Sequence, residues 1–144
     1  MDRSQAKYID IDGINTRYFE TGEGEPMVLI HGGQPGMASS AEIWFLNIDE
    51  LAKKYHVYAL DKLGQGYTDN PKVNEDYTMG AQVKHAVGFM NKLNISNAHL
   101  LGHSRGGYMT TRIALEYPHL AKSIVIIDSA TLMANPNTFN FYED

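Results

Sequence analysis

The sequence predicts an α/β protein organised around a doubly wound, mostly parallel sheet, and three observations carry that expectation. Short apolar runs alternate along the chain with segments of helical periodicity. Those runs are nearly continuous in apolar residues, as strands covered by helices on both faces are. The chain has 144 residues, 43% of them apolar and 20% charged, which is enough to bury one core.

Residues 7–11 and 16–19 alternate with period two about Asp12-Gly13 and read as an opening antiparallel hairpin. Residues 27–30, 56–60, 99–101 and 123–127 are the apolar runs, giving six strands in all, four of them parallel. Between them Met79, Val83, Val87 and Met90 recur at helical steps, as do Met109, Ile113 and Leu120 with Leu115 alongside. Right-handed crossovers then place a site at the carboxyl ends of the parallel strands. Residues 1–130 form the core in this reading. Residues 131–144, with Phe139, Phe141 and Tyr142 on an Asn-rich background, read either as a surface tail or as the start of a lid.

The formal net charge is -5 with only 12 Lys and Arg, none clustered, which argues against nucleic acid or an anionic membrane as partner. Cysteine is absent, which excludes disulfides, thiolate metal sites and cysteine nucleophiles. Residues 1–12 lack the apolar segment of a secretion signal, and no run reaches membrane-spanning length. A cytoplasmic protein is the resulting expectation.

The chemistry concentrates in Gly102-His103-Ser104-Arg105-Gly106. A Gly-x-Ser-x-Gly run between a strand and a helix makes a tight, strained turn that exposes the serine hydroxyl at a helix N-terminus. The small residues on either side let strand and helix approach closely. The alternative is a glycine-rich helix cap with no chemistry. Upstream, His31-Gly32-Gly33-Gln34-Pro35-Gly36 follows the strand at 27–30 and resembles the oxyanion-hole loop of α/β-hydrolases; the alternative is an ordinary strand-ending turn. By that resemblance the amides of Gly33 and Arg105 hold the oxyanion, with Gly32 as substitute if the loop is shifted by one. Asp61-Lys62-Leu63-Gly64-Gln65-Gly66 after the strand at 56–60 is similar to the structural Asp-x-x-Gly-x-Gly loop of the same superfamily.

On these three motifs, in this order, the chain is identified as the N-terminal part of an α/β-hydrolase with a serine nucleophile, the resemblance covering nearly all of residues 18–130. His-Gly-Gly-x-Pro-Gly, with the run through Leu115-Glu116-Tyr117-Pro118 to Ile127-Asp128-Ser129, most resembles the meta-cleavage product hydrolases, which cut a carbon–carbon bond in vinylogous diketones. Their elbow usually has Asn before the serine and a hydrophobic residue after it. Here His103 and Arg105 stand in those places, which leaves ester hydrolysis open. The resemblance implies a small-molecule substrate and no metal or organic cofactor.

A serine needs a histidine to take its proton and an acid to orient that histidine, in the chain order Ser, acid, His. His119, the only histidine after Ser104, lies ~20 Å away along a helix. His103 is expected to point to the opposite strand face, His31 to pin the oxyanion loop, and His56, His85 and His99 to be structural. Asp128 is either the triad acid, as in haloalkane dehalogenases and pancreatic-type lipases, or simply the residue that closes its strand. The expected fold is therefore incomplete without a C-terminal part, supplied as a second chain or missing from a truncated one. A non-catalytic binding module and a homo-oligomer stay open as alternatives.

Overall fold

A computed structural model describes residues 2–34 and 37–132. The chain starts on the expected hairpin, β1 (Lys7–Ile11) and β2 (Ile14–Thr21). Asp12 (φ 53°) and Gly13 (φ 81°) turn it, both in the left-handed region that a two-residue hairpin loop requires. The Asp10 carboxylate accepts the Gly13 N–H at 3.0 Å. The remaining strands are β3 (Glu25–Ile30), β4 (Tyr55–Leu60), β5 (Ala98–His103) and β6 (Ala121–Ile127).

These six strands form one sheet in the order β1-β2-β4-β3-β5-β6. β1 and β2 are antiparallel to their neighbours, whereas β3 pairs in parallel with β4 and β5, and β5 with β6. From β3 the chain passes to β4 on one side and then crosses to β5 on the other. The carboxyl ends of β3 and β5 thus border the point where strand order reverses, where open α/β sheets hold their ligands.

Alternation along each strand builds two cores. Val28 and Ile30, with Tyr18, Leu60 and Leu100, meet Val83, Phe89 and Met90 of α2 (Met79–Lys92) and Met109 and Ile113 of α3 (Arg105–Glu116). Met27 and Leu29, with Phe19, Val57 and Ala59, meet Trp44 and Ile48 on the other face, where α1 (Ile48–Leu51) lies. That two-sided covering is why residues 27–30 of β3 and 57–60 of β4 are apolar at consecutive positions. Each large side chain so buried contributes on the order of 1.5–3 kcal/mol.

Two expectations on α3 fail. Leu115 is 77% exposed, because a 3.6-residue period turns it away from Met109 and Ile113. Leu120 is buried, but in a three-ten turn (Pro118–Leu120): the residue before Pro118 is driven out of helical geometry, so α3 has already ended. The outer edge of β6 pairs with no described strand, and Ile124, Val125, Ile126 and Ile127 are each about 40% exposed. Of the segment read as tail or lid, a three-ten turn (Ala130–Leu132) is seen, and residues 133–144 lie outside the described ones. No described helix is long and apolar enough to cross a membrane.

Candidate active site

Ser104 sits between β5 and α3 with φ 54° and ψ -123°, a conformation costing a non-glycine residue on the order of 1–3 kcal/mol. The surroundings hold it there. Its N–H donates to Ile127 O at 2.9 Å, and its carbonyl accepts the Gly107 N–H at 2.9 Å and the Ser129 hydroxyl at 2.6 Å. Ser104 occupies the N-cap position of α3, yet its side chain makes no capping hydrogen bond, so the helix does not engage the hydroxyl. Glycines make the turn possible: a β-carbon on Gly106 would overlap the Ile30 carbonyl, and one on Gly107 would meet Ser129 at 2.7 Å.

The loop after β3 packs directly on this turn. A β-carbon on Gly32 would stand 2.9 Å from the Ser104 Cβ and 3.0 Å from His103 Nδ1. The His103 ring therefore lies beside the loop that also touches Ser104, not on the opposite face. Strand alternation puts successive side chains on opposite faces only while both residues are extended, and the positive φ of Ser104 breaks it. His103 Nδ1 is buried without a hydrogen-bond partner among the described residues.

His31 does pin the loop. It is fully buried, and its Nε2 accepts the Lys62 backbone N–H at 3.1 Å. An acceptor at Nε2 assigns the proton to Nδ1, which donates to Gly32 O at 2.8 Å. Burial, reinforced by the charge of Lys62, pushes its pKa down to about 3, so the ring is neutral. With the Gly32 carbonyl turned onto His31, the N–H of Gly33 in the same trans peptide points the other way. Gly33 has φ 77°, and a β-carbon on it would meet Gln65 Nε2 and Ser39 Cβ, each at 2.8 Å. Its carbonyl accepts Lys62 Nζ at 2.7 Å.

Sequence reasoning missed Lys62, whose loop reads as structural. Its side chain is 1% exposed, and burial, with the positive charge of Arg105 added, pushes its pKa down to about 7. The loop's structural part is Asp61, fully buried, which accepts from Arg17 Nε at 2.7 Å, the Ala41 N–H at 2.7 Å and the Tyr67 N–H at 2.8 Å. Gln65, 3% exposed, leaves both amide atoms without a partner among the described residues. It lines a cleft of about 460 Å³ with Ser39, Glu42 and Tyr67.

Arg105 opens α3, so its backbone N–H lies at the electropositive end of the helix. Asp128 is exposed at the carboxyl end of β6 with φ 48°, and its side chain makes no hydrogen bond among the described residues. Its neighbour Ser129, rather than Asp128 itself, contacts Ser104. The other histidines are engaged elsewhere: His56 with Glu20 at 2.8 Å, His85 with Thr16 at 2.9 Å, and His99 with Glu25 at 2.9 Å. His119 lies in the three-ten turn beyond α3. Among the described residues no group of three or more His, Cys, Asp or Glu is arranged to hold a metal.

The arrangement brings a hydroxyl at a strained turn, a helix N-terminus and a glycine loop to one point at the sheet's reversal. Residues 25–144 match the family model described as the alpha/beta hydrolase fold. The chain is 38% identical over 118 residues to a 2-hydroxymuconate semialdehyde hydrolase of Pseudomonas sp. (strain CF600), covering 82% of this chain and 41% of that protein. It is 33% identical over 128 residues to a 2-hydroxy-6-oxo-6-(2'-aminophenyl)hexa-2,4-dienoic acid hydrolase of Metapseudomonas resinovorans, covering 88% and 43%. Among solved structures, a meta-cleavage product hydrolase from Pseudomonas fluorescens IP01, a mutant form complexed with acetates, superposes with a TM-score of 0.77 at 37% identity, covering 85% of this chain and 44% of the other. The chain thus spans about two fifths of the length of these relatives.

Proposed function

The chain belongs to the α/β-hydrolase fold family, and from that membership we propose that it is part of a serine hydrolase in which Ser104 attacks a small carbonyl compound, an ester or the carbon–carbon bond of a vinylogous diketone. The observation that carries the reading is the contact of the Gly32-Gly33 loop with Ser104, a serine whose hydroxyl is left out of helix capping. For an ester, Ser104 Oγ bonds to the carbonyl carbon while its proton passes to a histidine. The carbonyl oxygen takes the charge, held by the amides of Gly33 and Arg105. Gly33 is favoured over Gly32 because the Gly32 carbonyl, held by His31, turns the Gly33 N–H outward. The leaving alcohol takes the proton, and water then releases the acyl group from Ser104. No metal or organic cofactor enters this scheme.

The base and its orienting acid belong, in this proposal, to sequence beyond this chain. Two facts support that: the relatives are about twice as long, and the apolar edge of β6 pairs with no described strand. A C-terminal part carried by a second chain would cover that edge, which otherwise invites association, including with another copy of this chain. Asp128 serves as the acid only if the completing part brings a histidine to the end of β6. The engagement of His31, His56, His85 and His99 in other contacts favours one alternative, a hydrolase-like module that binds without turnover.

Intact-mass spectrometry before and after fluorophosphonate treatment separates the two. Label on Ser104 in the presence of a co-purifying polypeptide supports the hydrolase. A folded, solitary and unlabelled chain sinks it in favour of the binding module.

A further inference from the structure

We propose that Lys62 is a positioning residue for the oxyanion loop: its side-chain nitrogen holds the Gly33 carbonyl and so fixes the conformation of the glycine whose amide is assigned to the developing charge. The inference rests on the reading of Gly33 given above.

The geometry is a pair of clamps on one flexible residue. The peptide before Gly33 is held by His31 Nδ1 on the Gly32 carbonyl at 2.8 Å, and the peptide after it by Lys62 Nζ on the Gly33 carbonyl at 2.7 Å. Glycine at φ 77° has no side chain to restrict rotation: without the first bond the Gly32–Gly33 peptide could flip and carry the Gly33 N–H away from the site, and without the second the Gly33–Gln34 peptide could rotate and release the loop conformation that holds Gly33 in place. Lys62 also reaches the first clamp, since its backbone N–H orients the His31 ring at 3.1 Å. A side-chain substitution leaves that backbone bond in place and removes only the second clamp.

Stability alone does not account for a lysine here. Its side chain is 1% exposed and makes no ion pair with a carboxylate among the described residues. The groups facing it are adverse or neutral: the Arg105 guanidinium at the start of α3 and the neutral His31 ring. Asp61, next in the chain, is taken up by Arg17. A buried ammonium without a counter-charge costs folding free energy, and an apolar residue of similar length would avoid that cost. A residue that burdens the fold while holding a loop in one conformation is what strained functional sites contain.

The test compares the purified protein, with any chain that accompanies it, against Lys62→Met. The expected result has three parts: a melting temperature equal to or above that of the unsubstituted protein, a displaced carbonyl-carbon resonance of Gly33 in isotope-labelled material, and phosphonylation of Ser104 slowed about tenfold or more. A filler role predicts the opposite pattern, with lower melting temperature and unchanged labelling, and that pattern overturns the proposal. An unmoved Gly33 resonance overturns it as well. If even the unsubstituted protein takes no label, the nucleophile reading fails by itself, and the Gly33 resonance alone decides whether Lys62 orders the loop.

Discussion

The carbonyl group of Gly106 occupies the space that a β-carbon on Gly102 would need. The two glycines of the elbow are thus a matched pair, one on the strand and one on the helix. Gly102→Ala must force β5 and α3 apart, and no flexible side chain is available to give way. We expect a loss on the order of 3 kcal/mol or more, or no soluble protein, read from the urea midpoint. A Gly102→Ala chain with the parent midpoint would contradict this account of the turn.

Ser104 holds its half-buried position at a strained positive φ. Ser104→Gly removes that strain and should raise stability by up to about 1 kcal/mol, while Ser104→Ala should not. Both variants should lose fluorophosphonate labelling entirely. Thermal melts of the pair isolate the backbone effect from the loss of the hydroxyl.

Arg17 and Asp61 form an ion pair at 2.7 Å with side chains 3% and 0% exposed. Removing one partner leaves the other charge buried, and Glu42 at 3.2 Å from Arg17 compensates only in part. Asp61→Ala should therefore destabilise by about 3–5 kcal/mol. It also deletes the acceptor for the Ala41 and Tyr67 amides, so the loops after β3 and β4 should become the fastest-exchanging part of the sheet's carboxyl end. Hydrogen exchange showing the loss spread evenly would argue against that local role.

Acid should weaken the fold through two buried histidines. His31 and His85 have pKa values pushed down by burial to about 3 and about 4, below the ordinary 6.5. Between those values and 6.5 these two histidines bind protons in the unfolded chain that they refuse in the native one, so their contribution to stability is full above pH 6.5 and is lost as pH falls through this window. His31 alone is worth on the order of 3–5 kcal/mol across it. Urea midpoints at about pH 7 and about pH 5 should differ clearly for the parent and by about half as much for His31→Gln, in which His85 still contributes. A parent midpoint that stays flat over that interval would rule out neutral burial of both rings.

How much of this was legible beforehand divides along the range of the interactions. The strands, α2, the elbow at Gly102–Gly106 and the loop at His31–Gly33 could be read from the sequence, because apolar alternation, helical period and glycine spacing are set by residues within a few positions of one another. The role of His31 could also be anticipated from its place beside the glycines. The limits of α3 could not be read from apolar spacing alone, since Leu115 and Leu120 both fit the period and only packing separates the exposed from the buried one.

Lys62 reaches Gly33 across 29 positions, Asp61 reaches Arg17 across 44, and Ser129 reaches Ser104 across 25. None of these has a local signature. By itself the sequence determined the parts and their polarity: which residues form strands, which face is apolar, and where the backbone must be glycine. Only the tertiary structure decided the order of the strands, and with it which loop ends meet at the reversal beside β3 and which buried charges have partners. The reason is physical: local pattern sets the conformation of a segment, whereas strand neighbours and burial depend on contacts that close only when distant segments pack together.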